Sequence, residues 1–552
     1  MKRLKRIFNI FKLNFMGIAS GTIFYCLSLT PSLLPRPPFF EGIIAGISFA
    51  LGYALGVFLS WLARLVAPSR REPTANMKRW AWATLLVVAA FLTVAYALWQ
   101  KSWQNQVRAR IGESPLQSHH SITIILTAFA FASVIILVGR LIGAAIRATG
   151  AYLGRWVPTR LSVAAGTLVV AIILVLFYNG VVVRAFVSVS NNIYKKQNAQ
   201  TAVGVQQPTD ALRSGSPASL VRWNALGYQG RSFVAGAPTQ KQIGSFDNSQ
   251  SAQDPIRVYV GLDSAKDATE RANLAVKELE RTGAFDRPVL AVMTSTGSGW
   301  VEPQGAASLE YMWHGDTALV SMQYSYLPSW ISFLVDQDKA TEAGRALYDA
   351  VYAHWQQLPV NHRPKLIAFG LSLGSYGAQA DFSGTSDMQN RTSGALFMGT
   401  PSFTQLRNYF VNGRDKGSLQ WQPVYQNGQT VRFAAQGNDL KKLGTAWAYP
   451  RIVYMQHASD PVVWWSPNLI WHKPDWLKET RGADVTPNMQ WYPFVTFAQV
   501  TVDQFFSTSP PVGHGHNYSN SEVAAWSAVT NPPNWSVQKA QKLQQIILAY
   551  PI

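Results

Sequence analysis

The chain has 552 residues, too many for one hydrophobic core, and a formal net charge of +19. Residues 1–190 hold 19 of the 48 Lys and Arg but only three of the 29 acids, and this excess lies between long apolar runs. The positive charge therefore indicates membrane orientation, and we expect no nucleic-acid partner. The single cysteine, Cys26, excludes an intramolecular disulfide and the paired spacings of zinc or redox sites.

Five segments are long and apolar enough to cross a bilayer, which takes about 20 residues of helix. They are residues 13–34, 41–63, 80–99, 121–139 and 161–183. The first lacks a clear small-residue cleavage site and four more follow it, so we predict a retained helix and not a signal peptide. No span has an acidic residue at its centre, which disfavours an ion-coupled transporter.

The cations of the connections predict how the spans are oriented, since Lys and Arg favour the cytoplasmic side. The N-terminus and the second and fourth connections are the basic ones, with Lys2, Arg3, Lys5, Arg6 and Lys12; Arg64, Arg70, Arg71, Lys78 and Arg79; and Arg140, Arg147, Arg155 and Arg160. The first connection has only Arg36, and the third has Lys101, Arg108 and Arg110. This pattern predicts a cytoplasmic N-terminus and, after five spans, an extracytoplasmic chain beyond residue 190.

Beyond the apolar spans, the residue pattern changes at residue 191 and again at residue 256. Residues 191–255 are rich in Ser, Gln, Asn, Gly and Pro and predict a connector. From 256 to 552, short β-branched or aromatic runs alternate with helical periods, which indicates βαβ units and a mainly parallel sheet. The predicted strands are Ile256–Leu262, Val289–Thr294, Ala318–Tyr324, Leu366–Phe369, Ala395–Met398 and Ile452–Gln456, and the clearest helices are Ser264–Thr282 and Ala340–Gln357.

A Gly-Leu-Ser-Leu-Gly sequence at 370–374 follows the predicted strand Leu366–Phe369 and precedes small residues suited to a helix start. A nucleophile elbow has this context, because the turn is so sharp that its neighbours must be small. The sequence therefore predicts Ser372 as a nucleophile in an α/β-hydrolase domain. The alternative is a structural glycine turn.

A serine nucleophile needs a base and an acid, which follow in that fold in the order Ser, Asp or Glu, His. Asp460 comes after the strand Ile452–Gln456 and is the predicted acid, with an Asp-Pro turn as the alternative. His516 is the preferred base over His514, because Gly513 and Gly515 give it flexible backbone. Two histidines in a loop without clustered ligands do not predict a metal site, and no cofactor is expected.

An oxyanion hole needs two backbone N–H donors. One is expected from Leu373, directly after the nucleophile. The other is expected from Gly297 or Thr296, in the glycine-rich loop after the strand Val289–Thr294. Tryptophans crowd the region after Asp460, where they suit a substrate pocket, a membrane interface or ordinary core packing; they are Trp464, Trp465, Trp471, Trp476 and Trp491.

Several segments together resemble a bacterial family of multi-span membrane proteins with a C-terminal α/β-hydrolase domain. They are Ser28–Arg36, Thr296–Pro303, Gln323–Trp330, Gly370–Ser375, Tyr454–Ser466 and Gly513–Tyr518. The resemblance implies a serine-hydrolase fold with Ser372, Asp460 and the His514/His516 loop as catalytic candidates. One departure is Leu371, where the family's elbow more often has an acidic residue. The implied location is the bacterial cytoplasmic (inner) membrane.

These observations lead to one expected function and two alternatives. The expectation is an α-helical membrane bundle at 1–190, followed by an α/β-hydrolase domain at 256–552 that hydrolyses a lipid or envelope-glycan ester through an acyl-enzyme. An acyltransferase would use the same triad with an alcohol in place of water. A non-catalytic membrane scaffold or binding protein is the other alternative. The expected partners are the lipid bilayer and the ester substrate.

Overall fold

The computed structural model describes residues 13–66, 74–156 and 158–550. Seven cations used for the orientation lie outside these residues, namely Lys2, Arg3, Lys5, Arg6, Lys12, Arg70 and Arg71. The chain divides into two compact units. The first, here the membrane unit, ends at Phe186 and also includes Pro467–Lys478 and Ala483–Phe506; the second, the sheet unit, is Val187–Ser466, Glu479–Gly482 and Ser507–Ile552.

Long apolar helices make up most of the membrane unit. The helices are α1 (Phe15–Ser28), α2 (Pro38–Val66), α3 (Ala75–Arg110), α4 (Ser121–Leu153) and α5 (Thr159–Phe177), and a π-helical turn (Tyr178–Val183) then leads into α6 (Arg184–Ala199). Among the described residues four helical stretches are long and apolar enough to cross a membrane: Pro38–Val66, Ala75–Arg110, Ser121–Leu153 and Leu161–Ala199. The first predicted span, 13–34, is helical for only 14 residues, because Pro31 and Pro35 cannot continue a helix.

Glycines allow α1 and α2 to pack backbone against backbone. A Cβ on Gly56 would lie 2.2 Å from the Met16 carbonyl oxygen, and one on Gly52 would lie 2.6 Å from that of Ser20. Small residues have this role in membrane helix pairs, where close approach supplies the van der Waals contact that holds helices together.

A buried polar cluster joins the α1–α2 connection to a segment from far along the chain. Asp503 accepts hydrogen bonds from the Ser32 hydroxyl and, at 3.2 Å, from the Leu33 N–H. The Arg36 guanidinium lies 3.6 Å from Asp503 and 3.3 Å from Glu41, and all three charged side chains are fully buried. These residues, called the Arg36 network below, connect Asp503 to the α1–α2 connection, and the whole segment Ala483–Phe506 belongs to the membrane unit.

Seven parallel strands form one sheet in the sheet unit. They are β1 (Ile256–Val260), β2 (Val289–Thr294), β3 (Thr317–Met322), β4 (Lys365–Leu371), β5 (Gly394–Met398), β6 (Val431–Ala434) and β7 (Arg451–Met455), in the order β1-β3-β2-β4-β5-β7-β6. The six predicted strands are present, within two residues at each end. The sequence missed β6 because it has only four residues, with Arg432 among them.

Helices flank this sheet and begin inside the predicted connector. They are α7 (Gly227–Ala235), α8 (Gln240–Asp247), α9 (Ala268–Arg281), α10 (Pro303–Met312), α11 (Ser329–Val335), α12 (Gln337–Gln357), α13 (Leu373–Ala378), α14 (Thr385–Arg391), α15 (Gln405–Asn412), α16 (Pro461–Trp464), α18 (Glu522–Thr530) and α19 (Val537–Leu548), while α17 (Val495–Asp503) belongs to the membrane unit. Residues 191–255 are not a free connector, since Phe233 and Val234 are buried in the sheet core and Ser214 N–H donates to the Arg257 carbonyl.

Candidate active site

Ser372 lies on a strained turn between β4 and α13. Its φ of +56° and ψ of −126° are unusual for a residue with a side chain, and such strain persists only where the surroundings impose it. The neighbouring glycines impose it here. A Cβ on Gly370 would lie 2.4 Å from the Gly374 carbonyl oxygen, and one on Gly374 would lie 2.3 Å from that of Thr294. The turn thus has the geometry of a nucleophile elbow, with a partly exposed serine at the C-terminal edge of the sheet.

Asp460 and His516 form a buried pair at the same edge. Asp460 follows β7 and is fully buried, and its Oδ2 lies 2.7 Å from His516 Nδ1. An ionised Asp460 accepts the Nδ1 proton, which leaves Nε2 as the basic nitrogen. His516 Nε2 is buried and has no hydrogen-bond partner within the described residues.

The backbone at the end of β5 contacts both the elbow and the imidazole. Ser372 N–H donates to the Met398 carbonyl at 2.9 Å. The next residue, Gly399, has a φ of +53°, and a Cβ there would lie 2.3 Å from Cε1 and 2.7 Å from Nδ1 of His516. The peptide that follows β5 therefore brings Ser372, Asp460 and His516 to one place. The Asp460 carboxylate that meets His516 is 56 residues away in the chain.

The other candidate histidine has a different position. His514 is partly exposed, and its backbone N–H donates to the Pro511 carbonyl at 3.2 Å. Gly515, between the two histidines, donates its N–H to the Ser459 hydroxyl at 2.8 Å, which fixes the loop against the residue before Asp460. The loop therefore presents His516, and not His514, to the Asp460 carboxylate.

The predicted oxyanion loop after β2 is held by its own hydrogen bonds. Gly297 N–H donates to the Tyr324 hydroxyl at 2.7 Å, and Thr296 N–H donates to the Trp300 carbonyl at 2.8 Å. Both amides are therefore engaged in this conformation and do not offer a vacant donor. Leu373 starts α13, where the first amides of a helix have no intrahelical acceptor, so its N–H is suited to the role.

Two further residues shape the site, and the sequence analysis missed both. Tyr518 donates its hydroxyl to Asp460 Oδ2 at 2.7 Å, so the carboxylate accepts from both Tyr518 and His516. Gly399 is the second residue. A glycine directly after the strand next to the elbow strand, and a tyrosine two residues after the base, were the available signals.

Buried ionisable side chains lie near the Asp460–His516 pair. Burial raises the pKa of Glu302 to about 7, although the Gln304 N–H and the positive charge of a protonated His516 act in the opposite direction. Burial also raises the pKa of Glu522 well above its usual value, and Glu302 repels its charge. Glu522 therefore retains its proton at neutral pH, whereas Glu302 is about half protonated there. Burial lowers the pKa of Arg407 to about 10, opposed by nearby groups that include Asp460.

The five tryptophans that follow Asp460 in the sequence are divided between the two units. Trp464 and Trp465 lie in the sheet unit, where Trp464 Nε1 donates to the His457 carbonyl at 3.2 Å. Trp471, Trp476 and Trp491 lie in the segments that belong to the membrane unit. The aromatic density after Asp460 is therefore not a single pocket wall.

Comparison with known proteins gives a family and no individual relative. The sequence model of the alpha/beta-hydrolase family matches residues 256–543, and that of the alpha/beta-hydrolase family N-terminus matches residues 29–238. No curated protein and no solved structure matches the chain. The first match alone covers more than half of the chain, and the parallel sheet and the Ser372 turn are those of an α/β-hydrolase fold. This protein therefore belongs to the alpha/beta-hydrolase family.

Proposed function

We propose that the protein is a membrane-anchored serine hydrolase that cleaves a carboxylic ester through an acyl-enzyme. The observation that supports this most is the strained Ser372 turn at the same sheet edge as the buried Asp460–His516 pair. A strained serine is costly to keep, and such strain concentrates at catalytic sites.

The proposed catalytic groups act in sequence. His516 Nε2 takes the proton of the Ser372 hydroxyl while the oxygen attacks the ester carbonyl, and Asp460 stabilises the imidazolium that forms. Leu373 N–H donates to the oxyanion. His516 then gives the proton to the departing alcohol, and a water molecule, deprotonated in turn by His516, releases the acid and restores Ser372.

An aromatic cluster beside the elbow supports an apolar acyl group. Tyr376 lies one helical turn after Ser372, and its ring centroid is 5.0 Å from that of Phe403. Phe403 continues to Phe333 at 5.1 Å, and Phe333 continues to Trp465 at 5.5 Å. Such rings favour a hydrocarbon chain, so we propose a lipid ester, with an envelope-glycan ester as the other candidate substrate.

The Arg36 network supports an extracytoplasmic catalytic site. It joins the α1–α2 connection to Asp503, and residues 504–552 follow without a long apolar helix among the described residues. The connection and the catalytic histidine then share one side of the membrane. Four apolar helices separate the connection from the sheet, an even number that returns the chain to that side. Since the α1–α2 connection has one cation and the connection across α2 has five, this side is the outer one.

Labelling of isolated membranes with a fluorophosphonate probe tests the proposal. We expect wild type to be labelled, and Ser372→Ala to lose labelling. Ser375→Ala is the matched control, because Ser375 lies one turn away with its hydroxyl buried against Thr400 at 2.6 Å, and it should label like wild type. If folded wild type never reacts while other hydrolases do, the scaffold alternative replaces this proposal. Products formed with added glycerol distinguish hydrolysis from acyl transfer.

A further inference from the structure

A second cavity lies in the sheet unit, away from the triad. Its volume is about 520 Å³, and it is bounded by α6, by the loop after β1, by the segment after β3 and by α12. Four cations and two acids line it, namely Lys195, Lys266, Arg271 and Lys339, with Asp267 and Glu342. Asn191 and Asn192 also line it, so the wall combines more cations than carboxylates with two amides.

Arg271 at this cavity is buried and forms no close ion pair among the described residues, although Asp267 and Glu342 attract it from farther away. Its side chain is only 7 % exposed, and its Nε is buried with no hydrogen-bond partner in the described part of the chain. Its Nη1 makes one long bond, 3.4 Å to the Ala265 carbonyl. A guanidinium that gives up its hydration needs an anion or strong acceptors in return. Arg271 therefore indicates an anion site, since a fork of N–H donors matches a phosphate or carboxylate.

The other cations add to this charge. Lys339 is paired with Asp336 at 2.8 Å. Lys195 lies 5.8 Å from the centroid of the Tyr326 ring, and neither Lys195 nor Lys266 forms an ion pair within the described residues. Asp267 caps α9 through the Glu270 N–H at 2.8 Å, so its charge is partly engaged. With Asp267 and Glu342 as its acids against four cations, the cavity keeps an excess of positive charge around the buried Arg271.

The cavity lies between α6 and the loops that follow β1 and β3. Asn191 is on α6, seven residues after Arg184, and α6 ends the continuous helical stretch Leu161–Ala199. At its inner wall, Tyr324 accepts the Gly297 N–H in the loop after β2. The cavity opens beyond the ends of β1 and β3, and β3 is two strands from β4, about 10 Å.

We propose that this cavity binds a phosphate monoanion, supplied by the headgroup of an anionic phospholipid. The cavity lies apart from the triad, so the proposal does not require the bound lipid to be the ester substrate. Arg271 holds the phosphate, Lys195 and Lys266 neutralise it, and Asn191 and Asn192 donate to the headgroup hydroxyls.

The test measures binding to full-length protein carrying Ser372→Ala, by titration calorimetry in detergent. The probes are dihexanoylphosphatidylglycerol, zwitterionic dihexanoylphosphatidylcholine and inorganic phosphate. We expect Arg271→Gln and Lys195→Gln each to weaken phosphatidylglycerol binding by about tenfold or more, as loss of a charged hydrogen bond does. Lys277→Gln is the matched control, an exposed cation of the same helix that does not line the cavity, and it should bind like wild type.

The arms of the test separate the outcomes. Phosphatidylglycerol binding at least tenfold tighter than inorganic phosphate supports a lipid headgroup site, and equal binding supports a phosphate site for a small molecule. Equal binding of the two lipids, or binding that neither substitution changes, overturns the proposal. Lys195 is exposed, so its substitution does not threaten folding. Binding is measured without the Ser372 hydroxyl, so this result is independent of fluorophosphonate labelling.

Discussion

Substitution of Gly399 by alanine examines how the base is positioned without altering any triad residue. The new Cβ would lie 2.3 Å from His516 Cε1, whereas carbon atoms in contact are about 3.5–4.0 Å apart. The imidazole or the peptide after β5 must therefore move by more than about 1 Å. Asp460 holds Nδ1 at 2.7 Å, so a displaced ring loses alignment with Asp460, with Ser372 or with both.

A misplacement of this size costs on the order of 10²-fold in rate where the reacting groups must align. We expect Gly399→Ala to reduce the second-order rate of fluorophosphonate labelling by about that factor. The φ of +53° adds a strain of about 1–2 kcal/mol, which lowers stability as well. The assay therefore pairs the labelling rate with a thermal-unfolding midpoint.

Gly417→Ala separates backbone strain from the clash. Gly417 has a φ of +89°, and a Cβ there would meet no described atom within 4 Å. It should lose stability but label at the wild-type rate. If Gly399→Ala also labels at the wild-type rate while remaining folded, then His516 is not the base, and His514 becomes the candidate.

Three other substitutions have defined expectations. Arg36→Met leaves two buried carboxylates without their cation and should cost about 3–5 kcal/mol, seen as a lower unfolding midpoint in detergent. Tyr518→Phe removes a hydrogen bond to the Asp460 carboxylate, worth about 1.5–3 kcal/mol, and should slow labelling by about tenfold or more. Burial raises the pKa of Glu302 to about 7, so this carboxyl stabilises the fold fully below about pH 4.5 and loses that contribution as the pH rises through 7. Glutamine does not titrate, so Glu302→Gln should lose up to about 3 kcal/mol less stability than wild type on going to high pH, measured by unfolding between pH 5 and 8.

Each of these has a control of the same chemistry. Arg108 forms a part-exposed ion pair with Glu113 at 3.1 Å, so Arg108→Met should cost no more than about 1 kcal/mol. An equal loss in both arginine variants would contradict the buried-network argument. Tyr454→Phe, which removes a bond to the neutral amide of Gln379, should not slow labelling. Exposed Glu270→Gln should leave the pH dependence unchanged, and a Glu302→Gln profile identical to wild type would refute its assignment.

Local pattern alone predicted a large part of the fold. β-branched runs predicted six of the seven parallel strands, because strands buried on both faces are apolar throughout. The elbow around Ser372 was predictable because a sharp turn allows only small neighbours, and those neighbours are close to Ser372 in the sequence. Four apolar spans were predictable for a similar reason, since a bilayer demands a run of about 20 apolar residues.

Contacts between distant residues were decided only by the tertiary structure. The sequence left His514 and His516 as alternatives, and the choice depends on which imidazole meets Asp460, 56 residues earlier. Engagement of the Gly297 amide by Tyr324 likewise depends on how two loops pack. The division of the chain is the largest example. Alternating strand and helix patterns led to the predicted domain 256–552, and no such pattern shows that Asp503 meets Arg36 in the membrane unit, because a buried charge is stabilised by its partner in space and not by its neighbours in sequence.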